Sequence, residues 1–206
     1  MWYYHYSNDH VAENWPIEYR QNNANNIAYY FVDLLHWTLD SVCAMLGNMQ
    51  AESYLNPAQW EHGHPVGVRG RWGYGLVQWT PWYKYTDWAE QEGMDWRTYF
   101  DGELYRIQYE MLQGEGFQWI TRQEYPLSFY EFTQATTADY SLDWLTMCFF
   151  SNYERGEGGE QARKNNAAYW YQYFTGHPPT PPTPEPTQRR KFPIMFYLKP
   201  KWKRGF

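Results

Sequence analysis

The chain has 206 residues, a formal net charge of −6, 22% aromatic residues and two cysteines, enough for one domain with a packed core plus appendages. Seven of its 17 basic residues lie beyond Glu185, the last acid, so the body before them sets ten basic groups against 23 acidic ones, which argues against nucleic acid as the main partner. No stretch approaches the roughly eighteen apolar residues of a membrane span, and the opening MWYYHYSNDH has neither the basic segment nor the apolar run of a secretory signal.

Residues 1–21 show no clean period and read as an aromatic-rich extension lying on the domain. From Asn22 onward, Ile27, Tyr30, Phe31, Leu34 and Leu35 form an apolar stripe that predicts a first helix stopping near Trp37. Thr38 or Asp40 caps the next helix, in which Val42, Met45, Leu46 and Met49 recur at helical spacing; three residues further, the same face carries Glu52. A carboxylate thus ends a helix where hydrophobes should continue. Desolvation favours the protonated form of a carboxyl group, the form a proton donor needs. The plainer alternative is an exposed glutamate in a last helical turn, the common situation for this residue type.

The segment from Trp60 to Trp79 is rich in glycine, includes Pro65 and alternates loosely through Val66, Val68 and Trp72, which reads as a small β-hairpin or ordered loop. Thr80-Pro81 predicts a helix start, with Trp82, Tyr85, Trp88 and Ala89 on the buried face and Gly93 at the end. Leu104, Ile107 and Met111 mark a helix after Asp101, closed by Gly114 or Gly116, and Ser128-x-x-Glu131 is a capping box for a shorter one. Between Ser141 and Arg155, Leu145, Cys148, Phe149 and Asn152 keep helical phase, and Tyr153 falls near the end. A last helix runs from about Glu160 to Phe174, stopped by Gly176 and Pro178. Cys43 and Cys148 fall on helices among apolar neighbours, the pattern of buried free thiols. Residues 177–188 are a Pro-rich linker, expected to be extended and semi-rigid, and residues 189–206 a basic, aromatic tail.

The stretch GNMQAES, ending in Glu52-Ser53, is followed by Asn56-Pro57 and then by GYGLVQWT from Gly73 to Thr80. Together these resemble the lysozyme-like superfamily, in which a Glu-Ser pair at a helix end precedes a Gly-Leu-x-Gln element, and within it they look like the phage tail lysozyme family. Ser151-Asn152-Tyr153-Glu154-Arg155 looks like that family's late Tyr-Glu-Arg element and is similar to the tyrosine motif of lytic transglycosylases. The resemblance runs from about Ala24 to about Phe174. It implies a mainly α fold: a lysozyme-like catalytic domain over residues 22–176, about seven helices with a small β-hairpin or loop wall at the cleft.

The resemblance further implies an enzyme without a cofactor, whose partner is bacterial peptidoglycan. It would cleave the glycan strand between N-acetylmuramic acid and N-acetylglucosamine, with Glu52 as general acid. On the substrate side it implies Tyr153 for a hydrogen bond to Glu52 or the reacting sugar, and Gln78 for positioning sugar or water. Ser53 would meet the sugar's acetamido side or cap the helix end, and Trp79 would stack on a ring or fill the core. Glu61, Asp87 and Glu154 are the acids nearest the motifs, and none is singled out as a second catalytic group; lytic transglycosylases manage with one acid. The setting implied is a phage virion, with a tail-borne enzyme acting at the wall and residues 189–206 anchoring it to another tail protein or an anionic envelope surface. The alternative setting is an endolysin held in the host cytoplasm until lysis.

Two rivals differ in kind. His36 and Asp40 read H-x-x-x-D and His62 and His64 read H-x-H, resembling the ligand motifs of zinc endopeptidases that cut wall peptides. These pairs sit at a helix junction and beside Pro65, an unpromising context, so no metal is expected. A glycan-binding module that kept the fold without the activity is disfavoured by the intact Glu-Ser and Gly-Leu-x-Gln elements.

Overall fold

Ser41 to Met49, nine consecutive residues, are all buried. A helix that is covered on every side has to lie at the centre of its domain, and this one does. The computed structural model describes residues 1–6, 8–9, 11–64, 66, 68–112 and 118–182. Its helices are α1 (Ile17–Ala28), α2 (Leu39–Ser53), α3 (Tyr83–Gln91), α4 (Asp101–Leu112), α5 (Phe129–Gln134), α6 (Leu142–Phe149) and α7 (Glu160–Gly176). Wider π-helical turns at Tyr29–Leu34 and Phe150–Glu154 prolong α1 and α6. Helix α2 packs chiefly against α7 and α6, with α1 and α5 also in contact.

The mainly α class and the seven α-helices among the described residues agree with the reading of the sequence. Thr38 caps α2 by accepting a hydrogen bond from the Ser41 N–H (3.2 Å), and Ser128 with Glu131 forms the expected capping box. Two boundaries differ. Helix α1 begins at Ile17, just after Pro16, rather than at Asn22. Helix α3 begins only at Tyr83, because Thr80 turns its hydroxyl back to donate to the Gln78 carbonyl (3.0 Å) instead of capping. Gly114, Gly116, residues 183–188 of the linker and the whole tail lie outside the described residues. Among those residues no helix is long and apolar enough to cross a membrane.

Gly47 lets the two central helices approach closely. A Cβ there would stand 2.6 Å from the Arg163 carbonyl oxygen and 2.7 Å from the Ala167 Cβ on α7. Backbone atoms cannot swing aside, so Gly47→Ala is expected to cost about 1–3 kcal/mol through overpacking. Gly176, where an added Cβ meets nothing, is the control, and thermal unfolding of both variants checks the difference.

Residues 54–82 form the loop wall with almost no ladder: among the described residues a single bridge, Trp60 to Tyr74, links its two sides. The hairpin alternative therefore gives way to the ordered loop. Aromatic packing holds it instead. Trp60 lies 4.8 Å from Tyr74 and 5.2 Å from Trp82 between ring centres, and Tyr74 lies 5.4 Å from Trp96. Beneath the loop, fully buried Glu103 on α4 accepts the Leu76 N–H (2.7 Å). Gly75, at φ +82°, admits this contact, since a Cβ would come within 2.7 Å of that carboxylate oxygen.

Burial drives the Glu103 carboxyl well above the ordinary carboxylate range, offset in part by the Leu76 N–H. The folded state then binds the proton more tightly than the unfolded chain does. Its contribution to stability is complete below the unfolded value, about 4.3, and is lost as pH rises toward the folded one. Glu103→Gln should flatten that decline. Urea midpoints of wild type and variant across about pH 4–8 test this; parallel curves would show that Glu103 does not hold a proton.

Candidate active site

Helix α2 ends at Ser53 because Tyr54 and Leu55 take left-handed backbone angles, φ +53° and +62°. Two such residues in a row without glycine are uncommon and are strained. The effect is to stop the helix with Glu52 at the edge of a cleft of about 690 Å³. Val77, Gln78, Trp79 and Thr80 of the loop line the same cleft, as do Tyr153, Glu154 and Arg155 where α6 runs out.

Glu52 does not stand among hydrophobes. Its Oε1 accepts a hydrogen bond from Arg163 Nη2 at 2.6 Å, with 21% of the glutamate side chain and 8% of the arginine exposed. Arg163 is held in turn. Asn48 of α2 offers its carbonyl oxygen and side-chain oxygen to Nη1 at 3.5 and 3.3 Å, and the guanidinium lies 4.2 Å above the Phe150 ring. Asn48 also donates to the Ala44 and Thr146 carbonyls (2.9 and 3.0 Å), so one buried amide aligns α2, α6 and the arginine of α7. Sequence reading passed over Arg163, although a signal was present: it shares helical phase with Ala167, Trp170 and Phe174, all buried.

The remaining site residues divide. Ser53 is fully buried and donates to the Met49 and Leu76 carbonyls (3.0 Å each), tying the helix end to the Gly-Leu-x-Gln loop rather than facing the cleft. Gln78 lines the cleft at φ +49° and is braced by hydrogen bonds from Nε2 to the Gly75 and Gln59 carbonyls. Trp79 is 4% exposed and stacks on Tyr85 at 4.7 Å, which leaves little of its face for a ligand. Tyr153 does not reach Glu52. Its hydroxyl donates instead to Glu110 Oε2 at 2.8 Å, and burial beside that carboxylate raises the phenol well above its ordinary range.

Glu110, on α4, is the hub that sequence reading missed. Its Oε2 accepts from both Tyr153 and the Trp79 indole (3.0 Å), while its Oε1 accepts from Arg106 Nε (2.8 Å). One carboxylate behind the cleft therefore fixes two residues of its lining.

The three acids named as candidate second groups separate cleanly. Asp87 pairs with Arg69 on the surface (2.8 Å). Glu61 lines the cleft but accepts the Gly73 N–H at 2.6 Å and lies 3.5 Å from His64, so it clamps the loop. Glu154 also lines the cleft, and its Oε1 is closed from solvent with no hydrogen-bond partner. Burial, reinforced by the charge of Glu52, drives its carboxyl well above the ordinary range, with Arg163 opposing.

The histidine and aspartate pairs are not assembled into a site. Asp40 accepts the Thr137 N–H, the His36 carbonyl accepts from Gln134, and His64 stacks on Trp72 at the cleft's loop side. Among the described residues no three His, Cys, Asp or Glu side chains are grouped to hold a metal ion.

Comparison with known proteins follows the same residues. The family model described as phage tail lysozyme matches residues 22–174. Morphogenesis protein 1 of Bacillus phage B103 is 40% identical over 141 residues, which cover 68% of this chain and 36% of that protein. The chain thus spans about a third of the length of that curated relative.

Proposed function

Because the chain belongs to the phage tail lysozyme family, we propose that it cleaves the glycan strand of bacterial peptidoglycan between N-acetylmuramic acid and N-acetylglucosamine, with Glu52 as the proton donor to the bridging oxygen. The observation that carries this reading is the placing of Glu52: a carboxyl at a helix end that lines an open cleft together with Gln78 of the loop wall. Donation of a proton to a leaving oxygen requires a carboxyl within hydrogen-bond reach of the substrate, and a residue sealed in the core would not serve.

The expected setting is a phage particle, where the enzyme opens the wall locally during infection. The relative's name, a morphogenesis protein, favours a virion role over release at lysis. Detection of the protein in purified virions by mass spectrometry tests that placement, and its absence from them would favour the endolysin.

Mass spectrometry of soluble fragments from purified peptidoglycan tests the reaction. Hydrated reducing ends identify a hydrolase and anhydro ends a lytic transglycosylase. Peptide cleavage without glycan cleavage would overturn the proposal.

A further inference from the structure

All but 8% of the Arg163 side chain is buried, and its Nε is closed from solvent without a hydrogen-bond partner. Such a residue contributes little to stability, because an apolar side chain of similar volume fills the same space without the desolvation cost. What a hydrophobe could not supply is a charge in contact with Glu52.

That charge is held from both ends. At the backbone, α2 and α7 touch at Arg163 itself, where a Cβ on Gly47 would stand 2.6 Å from the Arg163 carbonyl oxygen. At the guanidinium, Nη1 donates to the carbonyl and side-chain oxygens of Asn48, and the Phe150 ring lies 4.2 Å away. Nη2 is then fixed on one oxygen of Glu52, Oε1, at 2.6 Å. Among the described residues the other oxygen, Oε2, accepts no hydrogen bond, in a side chain that lines the cleft and is a fifth exposed.

We propose that Arg163 is the positioning residue of the proton donor: it holds Glu52 by Oε1, which leaves Oε2 to carry the proton to the sugar. This rests on the reading of Glu52 as that donor. An oxygen without a proton accepts a hydrogen bond in the acid and in the carboxylate alike, so the contact at Oε1 lasts through the step. Oε2 gives its proton to the bridging oxygen, and the C1–O bond breaks with its electron pair going to that oxygen. The charge left on Glu52 meets a guanidinium already in place, and donors aimed in advance at developing charge need no reorganisation. Water or the sugar's own hydroxyl then attacks C1, and the proton it loses returns to Glu52.

The test measures kcat and KM on soluble glycan fragments of peptidoglycan, with thermal unfolding in the same solutions. Arg163→Met fills the buried space and removes only the charge and the donors. Its kcat should fall about 10²-fold, the loss typical of a displaced catalytic group, with KM nearly unchanged and the protein folded. Arg163→Lys, a point charge in place of a planar fork, should recover part of the loss. Arg163→Ala should regain kcat with millimolar guanidinium and not with urea, which has the same shape and no charge. An unchanged kcat in Arg163→Met overturns the proposal, as does a rise in KM alone. Equal rescue by urea, or failure of all three variants to fold, would mark the arginine as structural and overturn it too. Glu52→Gln in the same assay separates the two readings. If it keeps wild-type kcat, or if wild type releases no glycan fragments, the assignment of Glu52 fails and takes the positioning with it. An inactive Glu52→Gln beside a fully active Arg163→Met sinks the positioning alone.

Discussion

Glu52→Gln is expected to lower glycan release from purified peptidoglycan by about 10²- to 10⁴-fold at neutral pH, the range typical for removing a general acid. That loss corresponds to about 3–5 kcal/mol of transition-state stabilisation. Glutamine matches glutamate in size and still offers Arg163 Nη2 an oxygen at the position of Oε1, so the fold should survive. What it lacks is a proton that can be given up. Thermal unfolding measured alongside separates chemistry from structure: the exposed fifth of the Glu52 side chain limits the cost of the lost charge, and about 1 kcal/mol is expected. A variant that keeps wild-type activity would remove Glu52 from the mechanism.

Glu110→Ala is expected to destabilise the fold more than Glu52→Gln or Gly47→Ala. It strips acceptors from three side chains at once: the Tyr153 hydroxyl, the Trp79 indole and the Arg106 guanidinium, all largely buried. Breaking a buried charge pair on one side costs about 3–5 kcal/mol, because the remaining charge stays buried without its partner. For a domain of this size the unfolding temperature should fall by about 2–4 °C per kcal/mol, hence on the order of 10 °C. Activity should fall further than the unfolded fraction explains, since Tyr153 and Trp79 both line the cleft. Glu110→Gln, which keeps one acceptor, should lie between. A fall of less than about 2 °C for the alanine variant would show that the hub carries little of the fold.

Much of this was legible along the chain because it is encoded locally. Capping at Thr38 and Ser128 depends on residues three apart, and the buried faces of α2, α3 and α4 depend on helical phase. The placing of Glu52 at a helix end followed from the same phase. Tyr153 shows where such reading stops. Its position at the end of α6 was evident, but the partner of its hydroxyl is 43 residues away on α4, and nothing local distinguishes Glu110 from the other glutamates of the chain. Ser53 failed similarly: its hydroxyl had two plausible directions, and the return of the Leu76 carbonyl from 23 residues downstream decided it.

The sequence by itself determined the helices, their order, the family and the residue that ends α2 at the cleft, because periodicity, caps and short motifs are properties of neighbouring residues. Only the tertiary structure decided what each carboxyl does. Glu103 supports a loop, Glu110 braces two side chains, Glu61 clamps the wall, Glu52 meets Arg163, and Glu154 lines the same cleft with an oxygen unsatisfied. These five residues are chemically identical in the sequence, and what separates them is burial and the charge brought near each by chain folding.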